Sequence, residues 1–141
     1  MALEADRDSD EASEEELLPD ADIVHLKLRG LRWSAEMVGD MIDLIIPDYP
    51  VPDGYDRSRT DLLLHLPTSW PDGTPDMFLV SPSLKIAATD AWPAAAASFP
   101  NIRGRQWQQW SRHFQALWRP GVDDLATYLA IVDQALADAV R

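Results

Sequence analysis

The chain has 141 residues, 46% of them apolar, with no cysteine and a formal net charge of −12. That length fits one domain with a core of ordinary size, and the lack of thiols excludes disulfides, thiolate metal sites and a thiol nucleophile. No apolar run is long enough to cross a membrane and the acidic start does not resemble a signal peptide, so no membrane partner and a cytoplasmic location are expected.

Most of the charge is local. Residues 1–22 hold ten acidic side chains and one basic one, Arg7, while the remaining 14 acids and 11 bases nearly balance. High charge with few apolar and no aromatic residues predicts a disordered acidic tail over residues 1–20, ahead of one folded domain over 21–141. The tail reads as a solvated arm, with an arm for a basic partner as the alternative. It repels phosphates, so nucleic acid is not an expected partner.

The stretch Ile23–Trp33, "IVHLKLRGLRW", alternates apolar and polar residues and predicts a half-buried strand with His25 among its polar set. Met41–Ile46 is a second apolar run, stopped by Pro47, and Pro50 and Pro52 are unsuited to a ladder. Asp53-Gly54 marks a turn. Leu62–Leu66 has four leucines in five residues and predicts a strand buried on both faces, with His65 a satisfied core residue. A further strand is predicted at Met77–Val80, ended by Pro82. The alanine-rich Ser83–Ser98 reads as a loop or short helix.

Trp107, Trp110, Phe114 and Leu117 recur at intervals of three, four and three, which predicts a helix with one aromatic stripe. On that helix Ser111 and Arg112 point away from the stripe and His113 lies near its border. The bland reading makes the tryptophans core, Arg112 a surface charge and His113 a backbone partner. The sharper one makes His113 a base beside the Ser111 hydroxyl. A last helix, capped by Asp123 and running to about Ala139, carries Leu125, Leu129, Val132 and Leu136 on one face. Strands first and helices after predict an α+β domain, an antiparallel β-meander with helices packed on one side. The three histidines have no metal-ligand spacing, and there is no phosphate-binding glycine loop and no Gly-x-Ser-x-Gly turn, so no metal and no cofactor are expected.

The most specific local signal is "LHLPTSWPDGTPDMF". Prolines at 67, 71 and 75 fix φ and remove donors, making a stiff crossover between two strands. Pro67, Trp70, Pro71 and Pro75 resemble the Pro-x-x-Tyr-Pro turn of the ubiquitin-conjugating enzyme superfamily, with Trp70 for the tyrosine. "FPNI" (Phe99–Ile102) resembles the superfamily's His-Pro-Asn, with the histidine replaced and Asn101 retained. "WRP" (Trp118–Pro120) resembles its Trp-x-Pro. The position of the catalytic cysteine then falls on Gln109 or Trp110. "SWPDGTPDMF", "WQQWSRH" and "WRPG" are similar to the bacterial family E of ubiquitin-conjugating-like proteins, over roughly Val51–Leu136.

The resemblance implies a ubiquitin-conjugating-enzyme-like fold. It also implies, as partners, a ubiquitin-like modifier, an adenylating (activating) enzyme and a JAB-type peptidase. Thioester transfer has no thiol to use. What remains is an adaptor that binds the modifier or its activating enzyme or, alternatively, a carrier that holds the modifier as an oxyester on Ser111, with His113 as base and Asn101 polarising the carbonyl. By the same resemblance, Trp70, Pro71, Trp107, Trp110 and Arg112 are the partner-binding candidates.

Overall fold

The computed structural model describes residues 16–75 and 77–141. The elements are α1 (Asp20–Leu28), β1 (Ser34–Val38), β2 (Met41–Pro50), β3 (Arg59–Pro67), β4 (Phe78–Ser81), β5 (Asn101–Ile102), β6 (Arg105–Gln106), β7 (Gln108–Trp110), a 3-10 turn (Gln115–Leu117) and α2 (Leu125–Asp138). Five strands form one antiparallel sheet in the order β1-β2-β3-β4-β7, and β5 and β6 form a separate small hairpin. This is the expected α+β meander.

Period-two alternation splits the sheet into two faces. Leu44, Ile46, Leu62, Leu64, Leu66, Phe78, Val80 and Trp110 share one core with Ile23 and Leu26 of α1 and with Leu125, Leu129, Val132 and Leu136 of α2. Both helices therefore cover the same face. The opposite face carries Leu63, Leu79 and Trp107, with Ile45 and Ile102 packed beside them. The four leucines of β3 are explained by this burial from both sides.

The structure corrects four local readings. Ile23–Trp33 is not a strand: Asp20–Leu28 is helical, with Asp20 and Asp22 in its first turn and Ile23 and Leu26 turned into the core. Spacings of three or four decide its buried face, and the alternation leaves Val24 and Leu28 exposed.

Pro47 does not stop β2, because the register shifts between Ile46 and Tyr49 and the strand continues to Pro50. Asp48, in that shift, has φ 53°.

The aromatic stripe is not helical either. Trp107–Trp110 is extended, so the two indoles lie on opposite faces of the sheet, and only Gln115–Leu117 makes a helical turn. The unpaired edge of β4 supplies a ladder partner to β7, which outweighs the weak helical preference of aromatic residues.

Lastly, Asp124 rather than Asp123 caps α2, through a capping box with Thr127. Asp123 instead binds Arg119, whose Nη2 donates to it at 2.8 Å.

Candidate functional site

The two proline-bearing motifs are riveted together. Trp70 packs at 5.5 Å centroid distance on Trp118, and both rings contact Tyr128 of α2. The Trp118 indole N–H donates to the Pro71 carbonyl at 2.8 Å, and the Gly121 N–H donates to Asp72 at 3.1 Å. Inside the proline loop a Cβ at Gly73 would meet Ser69 Oγ at 2.2 Å and the Pro67 ring at 3.1 Å, so a larger residue there would have to turn the Ser69 hydroxyl aside. Beneath the loop lies Asp22 of α1, wholly buried, accepting from the Trp70 indole N–H at 2.8 Å and from the Leu125 N–H at 3.1 Å. Desolvation raises the pKa of Asp22 above the ordinary aspartate value, against the pull of those two hydrogen bonds. One carboxylate thus ties α1, the proline loop and the first turn of α2.

The segment from Ala95 to Ser111 is one long hairpin. The N–H groups of Trp107, Gln109 and Ser111 donate to the carbonyls of Pro100, Ser98 and Ala95, and Asn101 pairs with Gln106 towards the tip. Asn101 and Ser111 therefore stand at opposite ends of this ladder and are not brought together. Asn101 Oδ1 accepts from the Gly104 N–H and closes the tip.

Gln108, wholly buried, fastens the hairpin to the preceding loop. Its Oε1 accepts from the Leu84 N–H at 2.8 Å and the Trp110 indole at 3.1 Å, while its Nε2 donates to the carbonyls of Leu84 and Ala96. No sequence pattern signals this role, because it needs two loops and a strand in contact.

Of Gln109 and Trp110, on which the resemblance puts the cysteine position, Gln109 is half-buried in β7, and Trp110 is fully buried, stacked at 5.4 Å on Phe78 and edge-on to Tyr55. Burial makes Trp70, Trp107 and Trp110 supports beneath the surface, whereas Pro71, Ser111 and Arg112 are half-buried and His113 is exposed. Arg112 lies 5.1 Å over the Trp110 ring and donates to the Ser111 carbonyl.

Beside them opens a groove of about 610 Å³ between α2 and the segment 112–117. Phe114, Leu117, Ile131 and Ala135 line it, with Arg112, Gln134 and Asp138 on its walls. Leu117 is 76% exposed here, although a side chain of its kind is ordinarily buried.

A second cluster lies on the opposite face of the sheet. Asp43 of β2 and His65 of β3 are cross-strand partners. Asp43 is 3% exposed; its Oδ1 accepts from His65 Nδ1 at 2.6 Å and its Oδ2 from Arg103 Nη2 at 3.0 Å. A carboxylate only accepts, so Nδ1 carries the proton of that bond. Arg103, in the hairpin tip, also reaches Glu36 of β1. Nearby Arg105 donates to Ser81 and Asp61 and lies over the Trp107 ring. These pairs clamp the tip across four strands, β1 to β4. Among the described residues no group of three or more His, Cys, Asp or Glu side chains could hold a metal ion, and no helix is long and apolar enough to cross a membrane.

No curated protein and no solved structure matches the chain. A family model described as prokaryotic E2 family E does, over residues 18–139, which span every element from α1 to α2 and both riveted motifs. The chain thus belongs to prokaryotic E2 family E and is an E2-like component of prokaryotic ubiquitin-like conjugation.

Proposed function

We propose that this protein is a cysteine-free E2-like adaptor, which binds a ubiquitin-like modifier or its adenylating enzyme and forms no covalent intermediate with either. The observation that carries this reading is the fate of the aligned cysteine position. That position falls on Gln109 or Trp110, where Gln109 is a half-buried amide and Trp110 a core side chain stacked on Phe78, neither of them a nucleophile, and the chain has no cysteine. The neighbouring surface remains open: Pro71, Arg112 and the apolar groove walled by Phe114 and Leu117 stand on supports fixed by Trp70, Trp118 and Gln108. A JAB-type peptidase of the same system is a further partner under this reading.

The second reading keeps Ser111 as an oxyester carrier, because this half-buried residue adjoins the Gln109–Trp110 pair on which the aligned position falls and His113 is two residues on. Atoms balance if the Ser111 oxygen attacks the modifier's activated carbonyl, its proton passes to the base and adenylate leaves.

One assay separates the two. The protein is incubated with the cognate modifier, adenylating enzyme and ATP, and a denaturing gel is read for an adduct cleaved by hydroxylamine. The adaptor reading expects binding of modifier or enzyme with no adduct, in wild type and in Ser111→Ala alike. An adduct lost in Ser111→Ala and weakened in His113→Ala would establish the carrier instead. Absence of both adduct and binding would remove both readings.

A further inference from the structure

Asp43 is held by two donors of different kinds. Its Oδ2 accepts from the Arg103 guanidinium and its Oδ1 from the His65 ring, in a place where only 3% of the residue is exposed. The guanidinium is always charged. Histidine is the side chain whose charge ordinarily changes between about pH 5 and about pH 8. The His65 side chain is 34% exposed and, with Arg103, lines a cavity of about 380 Å³ walled by Val38, Met41 and Ile102, so a proton can reach it from solvent. Nδ1 already carries the proton donated to Asp43. A second proton therefore goes to Nε2, and the bond to Asp43 is kept.

With His65 neutral, Arg103 alone compensates the buried carboxylate, and lifting the hairpin tip would leave that charge bare. With His65 protonated, the carboxylate has a second cation, and Arg103 can leave at a smaller cost. The imidazolium also repels the guanidinium, because both sit on one carboxylate. Proton and tip thus compete for Asp43. The other charges nearby among the described residues do not cancel this. Glu36 of β1 binds Arg103 from the exposed side, where solvent weakens the pair. Asp61, four residues back along β3, is taken by Arg105, and this second tether keeps the hairpin near the sheet.

We propose that the β5–β6 tip is a proton-operated strap. Protonation of His65 loosens Arg103 from Asp43 and raises the fraction of molecules in which Ile102 has left the Leu63–Leu79–Trp107 cluster. The strap lies on the sheet face opposite both helices and does not depend on the adaptor reading.

The test is amide hydrogen exchange of the whole chain at about pH 7.5 and about pH 5.5, each rate corrected for its intrinsic pH dependence. A two-stranded hairpin is marginal by itself, so a lifted tip exchanges its amides. Protection over residues 102–106 is expected to fall at least about threefold at the lower pH, with β3 unchanged. His65→Asn offers a neutral amide donor near the Nδ1 position and gains no proton. Its tip should show the same protection at both pH values. Linkage is reciprocal, so the His65 ring, followed by NMR, should titrate at higher pH in Arg103→Gln than in the wild type. This second readout leaves His65 itself unchanged and stands even if His65→Asn does not fold.

Wild-type protection that is unchanged or greater at the lower pH overturns the strap. A fall that persists in His65→Asn assigns the effect to another group and overturns it too. So does a His65 titration that Arg103→Gln leaves where it was.

Discussion

At the scale of single residues, two buried polar groups carry more of the structure than their neighbours in sequence. Gln108 makes four hydrogen bonds with loop and strand groups that have no access to water. Gln108→Leu strands those partners at about 1–3 kcal/mol for each group left unmet, so a loss on the order of 3 kcal/mol is expected in urea denaturation. Gln109→Leu, one residue on and half-exposed, should be close to neutral. Tyr55 donates its hydroxyl to the Leu136 carbonyl at 2.6 Å, and burial pushes its pKa up to about 12 from 10.0. Tyr49 is raised as well, first by burial and then by Asp133. A raised pKa means that the folded chain keeps a proton which the unfolded chain sheds. The contribution is whole below the unfolded value and falls as pH rises towards the folded one. Stability should thus decline between pH 10 and about 12. Tyr55→Phe should cost about 1 kcal/mol at neutral pH and flatten that decline, so that the two curves approach each other. Parallel urea midpoints across the alkaline range would assign the decline elsewhere.

At the scale of elements, α2 is the piece on which the sheet core closes. Its stripe of Leu125, Tyr128, Leu129, Val132 and Leu136 is buried, and its first turn is held by the Asp124–Thr127 box and by Asp22. Leu129→Ala should cost about 2–5 kcal/mol through transfer and cavity terms. Asp124→Ala should cost about 1 kcal/mol through the lost cap. A chemical denaturation series reads both, and a near-neutral Leu129→Ala would mean that the stripe is not core. The β5–β6 hairpin is attached differently. Its tip is held to the sheet by Arg103 on Asp43 and Arg105 on Asp61, with only Ile102 contributing apolar contact. Arg103→Ala would leave Asp43 buried and short of one partner, and amide exchange should quicken over residues 101–106 before it quickens in β3.

At the scale of the whole molecule, the acidic tail and the body are joined at a boundary that burial locates. Leu18 is 4% exposed within the main core, and Leu17 packs against it. The tail itself, predicted over residues 1–20, falls outside the described residues up to residue 15. We propose that it is a solvated arm ending before Leu17. Removing residues 1–15 should leave the melting temperature nearly unchanged, because nothing in their composition supplies core. Extending the cut to residue 19 should lower it by several degrees, since the Leu18 side chain leaves the core. A large fall from the shorter truncation would show that the arm docks on the body.

What could be read without the fold was whatever rests on saturation or on one-sided spacing. β3 is legible because four leucines in five residues leave no polar face, and α2 because its spacing of three and four has no competing period. The proline loop and the WRP turn are legible because proline and tryptophan at fixed offsets are rare. Together they pointed to the superfamily, and the matched span of residues 18–139 covers them both. Short segments were beyond reach. In α1 and in 107–117 a few apolar residues fit either period, and the choice was made by neighbours: α2 and the core for the first, the open edge of β4 for the second. Sites assembled across strands were equally hidden. Asp43 and His65 are 22 residues apart and meet only through strand register. Asn101 and Ser111 are near in sequence, and the hairpin ladder separates them. Composition alone excluded a thiol carrier. That Trp110 would be a buried core indole, and that Arg112 would stand beside an open groove with no described carboxylate to pair with, was decided by tertiary packing, because burial and charge pairing are properties of contacts that no local spacing contains.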